Sequence, residues 1–221
     1  MRIAGRHVAR ASVALALLAC LSSCGGEDAG FEPDLVVVIP KDTDAGAAAR
    51  PQVTFTISNG AAVTGTMVIT LTPEYAPKTV ANFLSYVNSG FYNGTIIHRH
   101  DAGFVMQGGG YASPVAAMDS PVHKPTSAPI ELEVKVSNVL GTVAMARGNA
   151  LNSATSEFFI NLANNEGLDT SAGGYAAFGY ITDLTLVNAM KLAPCVSSAL
   201  TAGVGCLPVP NLVITSALQT R

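Results

Sequence analysis

The chain has 221 residues, 49% of them hydrophobic and only 12% charged, which excludes a charge-rich disordered chain and allows one sizeable core plus appendages. Twelve Lys and Arg face fifteen Asp and Glu, a net charge of −3, and three of the basic residues, Arg2, Arg6 and Arg10, fall in the first ten. The remainder is acidic with no basic cluster, which argues against nucleic acid as a partner.

Arg2, Arg6 and Arg10 precede a short apolar run over residues 11–21, broken only by Ser12. A membrane-crossing helix needs about 20 apolar residues, so this run is too short and reads as an export signal. Leu21-Ser22-Ser23-Cys24 resembles a bacterial lipobox, which implies cleavage before Cys24 and lipidation of its thiol. Cys20 is a second candidate inside the apolar run, and an ordinary secretory signal is the plainer alternative. Gly25, in place of an Asp, favours the outer membrane if the cell has two. The chain therefore divides into a signal peptide (1–23), a lipidated Cys24 with a tether (24–50) and a folded domain (51–221). Within the tether, Leu35-Val36-Val37-Val38-Ile39 is the only apolar block, and it reads either as a strand on the domain or as a docked segment.

Residues 52–58 alternate, with Val53, Phe55 and Ile57 on one side, and residues 66–72 alternate again after an Asn59-Gly60 turn. Together they predict a hairpin. Residues 77–89 predict a helix: Val80, Phe83, Leu84 and Val87 form one apolar stripe, Pro77 suits its first turn and Gly90 its end. Short strands follow at 95–99, 104–107, 142–146, 158–161, 176–180 and 212–217. A second helix is expected at 184–191, with Asp183 as its N-cap. Many short strands and two helices suggest a mainly β fold, a closed antiparallel barrel with capped ends. With Cys20 removed and Cys24 acylated, Cys195 and Cys206 remain. Two cysteines this close in an exported chain suggest a disulfide, with two buried free thiols as the alternative.

The usual chemical motifs are missing. No Gly-x-Ser-x-Gly elbow occurs, and Gly108-Gly109-Gly110 lacks the Lys and Ser/Thr of a phosphate loop. His98, His100 and Asp101 make a weak metal suggestion, but ligand count and spacing fall short, so no metal is expected.

What remains is an ordered series of segments: Ala76-Pro77-Lys78-Thr79-Val80-Ala81-Asn82-Phe83, Gly90-Phe91-Tyr92-Asn93-Gly94-Thr95, Ile97-His98-Arg99 and Gly103-Phe104-Val105-Met106-Gln107-Gly108-Gly109. Later come Gly141-Thr142-Val143-Ala144-Met145-Ala146-Arg147, Ser156-Glu157-Phe158-Phe159-Ile160-Asn161, Leu168-Asp169 and Phe178-Gly179. In order and spacing this series resembles the cyclophilin family of peptidyl-prolyl cis-trans isomerases, especially its bacterial envelope members, over about residues 52–217. The resemblance implies an eight-stranded antiparallel barrel with two capping helices, and isomerisation of X-Pro bonds in proline-containing polypeptides without a cofactor. It assigns catalysis to Arg99, Phe104 and Gln107, and substrate contacts to Val105, Ala146, Phe159, Leu168 and Tyr175.

This chain departs from the family pattern at several places. Gly167 stands where the family has Trp or Phe, which removes an aromatic wall and predicts weak cyclosporin binding. Val105 replaces the usual Met, Glu157 the usual Gln, and His100-Asp101-Ala102 an apolar turn. The region of Cys195 and Cys206 is longer than the minimal family pattern. The expectation is a tethered, monomeric isomerase that assists folding of exported proteins. The alternative is a proline-segment binding module with weak turnover.

Overall fold

The computed structural model describes residues 50–116, 119–201 and 203–221. The expected signal peptide, Cys24 and nearly all of the tether, including its apolar block, lie outside the described residues. Arg50, expected as the last residue of the tether, belongs to the fold. It is buried, its Nε donates to Glu74 Oε1 (2.7 Å), and its carbonyl accepts from Arg221 Nε (2.7 Å).

The alternation of the first two segments produces β1 (Gln52–Ser58) and β2 (Thr64–Leu71). Val53, Phe55 and Ile57 of β1 and Met67, Ile69 and Leu71 of β2 all point into the core. Asn59 makes the turn: its Oδ1 accepts from the N–H groups of Ala61 and Val63, both at 3.0 Å, while Gly60 takes φ +69°. The remaining barrel strands are β3 (Thr95–Asp101), β4 (Val105–Ala112), β5 (Thr142–Met145), β6 (Phe158–Asn161), β7 (Ala177–Ile181) and β10 (Leu212–Gln219). They close into an antiparallel barrel in the order β1-β10-β3-β4-β6-β5-β7-β2.

The helices are α1 (Pro77–Asn88) and α2 (Thr185–Lys191), and the buried residues of both join the barrel's apolar interior. Phe83 of α1 meets Phe178 at 4.8 Å between ring centres. The cap of α2 falls one residue later than expected, at Leu184. Asp183 still accepts from the Thr185 N–H (2.9 Å), and its bonds to the Thr185 side chain and backbone hold its carboxyl below the usual range. Two further features matter. β4 runs past the expected 104–107 and takes in Gly108, Gly109 and Gly110; a side chain on Gly108 would meet Ile97 Cδ1 at 2.7 Å and the Ile96 carbonyl at 2.9 Å. Cys195 and Cys206 are joined by the expected disulfide, beside a small ribbon of β8 (Cys195–Val196) and β9 (Leu207–Pro208).

Strand alternation sorts the wall formed by β4, β6 and β5 into two faces. Met106, Ile160, Phe158, Val143 and Met145 fill the main core. Val105, Phe159 and Ala144 form a second, outer cluster with Val136 and Ala177, and Phe104, Ala146, Leu168 and Tyr175 pack at its margin.

Candidate functional site

Register places the site. Arg99 on β3 pairs with Gln107 on β4, Gln107 pairs with Phe159 on β6, and Phe159 pairs with Ala144 on β5. This row crosses four strands, and its members Arg99, Gln107 and Phe159 line a cavity of about 210 Å3. All eight residues assigned to catalysis or substrate contact line that cavity: Arg99, Phe104, Val105, Gln107, Ala146, Phe159, Leu168 and Tyr175. They come from β3, the turn before β4, β4 itself, β6 and the segments flanking β5 and β7.

Arg99 is held from three directions. Its Nη2 donates to Asp101 Oδ2 at 2.7 Å, its Nη1 to Gln107 Oε1 at 3.3 Å and its Nε to the Val204 carbonyl at 3.2 Å. Its guanidinium carbon lies 5.9 Å from the centre of the Phe104 ring. Gln107 has one amide orientation that satisfies both neighbours. Its oxygen accepts from Arg99, and its Nε2 donates to Glu157 Oε2 at 2.6 Å. A guanidinium cannot accept and a carboxylate cannot donate, so the reverse orientation would break both bonds.

The apolar part of the cavity is rigidly backed. The Phe159 ring meets Tyr175 edge-on at 5.8 Å. Leu168 sits on a single 3-10 turn, Glu166–Asp169, and its carbonyl accepts from the Tyr175 N–H (3.0 Å). Asp169 anchors that turn from within: its buried carboxylate accepts from Ser137 Oγ (2.6 Å) and from Asn138 N (2.8 Å) and Nδ2 (2.9 Å). Gly167 leaves one side open, since a Cβ there would meet no atom within 4 Å.

Three contributors went unrecognised in the sequence. Asp101, weighed there only as a metal ligand, pairs with Arg99; the Arg-x-Asp spacing on a strand, which puts both side chains on one face, was the available signal. Arg147 lines the cavity, stacks on Tyr175 with its guanidinium carbon 4.7 Å from the ring centre, and donates to the carbonyls of Gly148, Ala172 and Gly174. Backbone acceptors leave no trace in a sequence, so nothing there pointed to this role. His123 lines an adjoining cavity of about 240 Å3 together with Glu157, Ser153 and Thr155.

The metal alternative loses its ligands. Asp101 is engaged by Arg99, and His98 turns its Nε2 towards Glu157 Oε2 (3.5 Å). His100 lies against Cys195 and Cys206, the only other members of a three-ligand group among the described residues, and their sulfurs are bonded to each other. Burial lowers the pKa of both histidines from the ordinary value.

Against known proteins, the sequence model of the cyclophilin-type peptidyl-prolyl cis-trans isomerase/CLD family matches residues 53–202. The chain is 41% identical over 158 residues to peptidyl-prolyl cis-trans isomerase A of Dickeya dadantii, covering 69% of this chain and 78% of that one. It is 36% identical over 157 residues to peptidyl-prolyl cis-trans isomerase B of Escherichia coli, covering 69% and 92%. In structure it is similar to a crystallised cyclophilin-type isomerase of Cryptosporidium parvum, with a TM-score of 0.59 at 21% identity, over 78% of this chain and 98% of that one.

Proposed function

Because this chain belongs to the cyclophilin-type peptidyl-prolyl cis-trans isomerase family and is an isomerase of X-Pro bonds in proline-containing peptides, we propose that Arg99 is the residue on which its turnover depends. Rotation about a peptide bond is opposed by amide resonance, with a barrier of about 18–20 kcal/mol. No bond is made or broken, so catalysis needs only to bind the twisted amide better than either planar form. In the twisted state the prolyl nitrogen gains a lone pair. Three of the five guanidinium N–H groups of Arg99 are engaged by Asp101, Gln107 and Val204, which leaves two to donate to that nitrogen. The fixed orientation of this cation at the rim of an apolar cavity is the observation that carries the assignment.

The other roles follow from place and type. Phe104, Val105, Phe159 and Leu168 hold the proline ring, with Ala146 and Tyr175 beside them, while the rest of the amide turns. Gln107 keeps one amide hydrogen and one lone pair free for the substrate backbone. The test is exchange NMR of a short X-Pro peptide with the purified protein. Arg99→Ala is expected to lower kcat/KM by roughly 10- to 100-fold, the scale of one charge-assisted hydrogen bond, and Arg99→Lys to restore little, because Lys lacks the planar fork. Undiminished exchange in Arg99→Ala would sink the assignment.

The N-terminal reading extends this to a place in the cell. Arg2, Arg6 and Arg10, the short apolar run and Leu21-Ser22-Ser23-Cys24 support export, cleavage and lipidation of Cys24, with the isomerase tethered as a monomer in the cell envelope and acting on exported proteins. The disulfide, at home in an oxidising compartment, supports the same reading. Radiolabelled fatty acid should enter the wild-type protein and not Cys24→Ser, which should leave the membrane fraction; equal labelling of both would overturn it.

A further inference from the structure

Glu157 immediately precedes β6, and its carboxylate is the junction of a side-chain network beyond the cavity. Oε2 accepts from Gln107 Nε2 at 2.6 Å and lies 3.5 Å from His98 Nε2. Oε1 lies 2.8 Å from His123 Nε2. The other ring nitrogen of His123, Nδ1, lies 2.8 Å from the carbonyl of Lys124. A carbonyl only accepts, so Nδ1 carries a hydrogen. A neutral imidazole has only one N–H, so the contact with Glu157 is a hydrogen bond only if one further proton is present, on His123 Nε2 or on Glu157 Oε1. With Nδ1 bonded to Lys124, the contact between His123 and Glu157 therefore needs one proton between them.

Among the described residues, the other titratable and charged groups around His123 are turned away or engaged elsewhere. From β3, His98 is buried and pushed towards its neutral form. From β4, the Tyr111 ring stands edge-on at 5.2 Å, and burial pushes its hydroxyl up. On the same segment, the Lys124 ammonium is turned away to the Phe91 carbonyl and ring. Arg147 lines the same cavity but is spent on backbone carbonyls. Gly110 faces the pair, and any side chain there would collide with Glu157 Oε1 and His123 Nε2, so the absence of a side chain on this residue of β4 is what lets the two meet.

At its other end the network reaches the reaction. Glu157 fixes the amide of Gln107, and Gln107 accepts from Arg99. We propose that Glu157 is a positioning residue for the isomerisation, and that the proton it shares with His123 sets how firmly Gln107 and Arg99 are held. This rests on the roles assigned above to Arg99 and Gln107. With the proton present, His123 pins the carboxylate where it receives Gln107. Once the proton leaves, a nitrogen lone pair faces a carboxylate oxygen, the two repel, and the acceptor for Gln107 is displaced. Activity is therefore expected to fall as pH rises and that proton is lost.

The test follows kcat/KM and KM for an X-Pro peptide by exchange NMR on the purified protein across a pH series, with the His123 ring resonances recorded in the same samples so that its titration is read directly. The wild-type rate is expected to drop in kcat, not KM, with the midpoint of the His123 titration. Glu157→Ala should lose about tenfold, the scale of one charge-assisted hydrogen bond. Glu157→Gln should restore most of that loss and flatten the pH profile, and His123→Gln should flatten it too, since an amide donates at any pH. A flat wild-type profile across the His123 titration, or a Glu157→Gln profile that keeps the wild-type midpoint, would overturn the proposal, and the latter decides even if Glu157→Ala fails to fold. Loss of activity in Arg99→Ala and Gln107→Ala beside an unaffected Glu157→Ala would overturn the positioning role alone. Unaffected Arg99→Ala and Gln107→Ala would overturn the active-site assignment beneath it.

Discussion

Gly167 is the point at which one residue changes the character of the cavity. The backbone there leaves the Cβ direction open, with nothing within 4 Å, so a large side chain can enter without strain. An aromatic ring at this place would close the open side of the cavity beside Leu168. We expect Gly167→Trp to fold as stably as the wild type and to bind cyclosporin and X-Pro peptides about tenfold more tightly, the scale of about 1.4 kcal/mol from burying part of an aromatic face. Titration calorimetry of both proteins checks this, and tight, near-stoichiometric cyclosporin binding by the wild type would refute it. The site was readable in the sequence only as an ordered series. Taken singly, Phe104 and Phe159 look like barrel core and Arg99 like a solvated strand end. What could not be read is the hold on Arg99 from Val204, because the carbonyl that accepts from it lies 105 residues away and belongs to the backbone.

At the scale of the elements, local pattern predicts what is local and misses what is bridged. The first hairpin and α1 emerge from alternation and from a 3.6-residue stripe, signals carried within a few residues. The cap of α1 does not. Ala76 supplies no side-chain cap, and Glu133 does so from elsewhere in the chain, accepting from the Thr79 N–H and Oγ1 (both 2.8 Å) and from the Lys78 N–H (3.2 Å). A carboxylate at this end meets the orphan N–H groups and the positive end of the helix dipole. Glu133→Ala should cost about 1–2 kcal/mol, the range of a lost N-cap, visible as a lower urea midpoint with an unchanged slope. No change in midpoint would show that water replaces the carboxylate without loss. The two-residue strands β8 and β9 were equally unreadable, being too short for any periodicity. They are joined by the Cys195–Cys206 bond, which links positions 11 apart in the sequence. Replacing both cysteines by Ala should lower stability by about 2–4 kcal/mol in the loop-entropy account; a shift under about 0.5 kcal/mol would mean the ribbon holds itself.

For the whole molecule, the barrel buries two histidines, and this ties its stability to pH. His98 is 3% exposed and His100 is 6% exposed, and His100 places both ring nitrogens in the interior without a hydrogen-bond partner. Burial lowers the pKa of each, outweighing for His98 the pull of Glu157 and for His100 that of Asp101. In the unfolded chain both take up a proton at the ordinary value near 6.5, whereas in the fold they do so only at lower pH. Above about 6.5 neither state is protonated at these sites and they contribute no slope. Below it the unfolded chain binds more protons than the fold, so stability falls as pH drops from about 6.5 through the lowered folded values. Urea midpoints should therefore be level between about pH 7 and 8 and decline towards pH 5, before most carboxylates titrate. His100→Leu removes one of the two protonations and two unpaired nitrogens together. It should raise stability by about 1 kcal/mol at neutral pH and make the decline shallower. A variant with the wild-type slope would mean that His100 is protonated alike in both states, and that the interior beside the disulfide admits water.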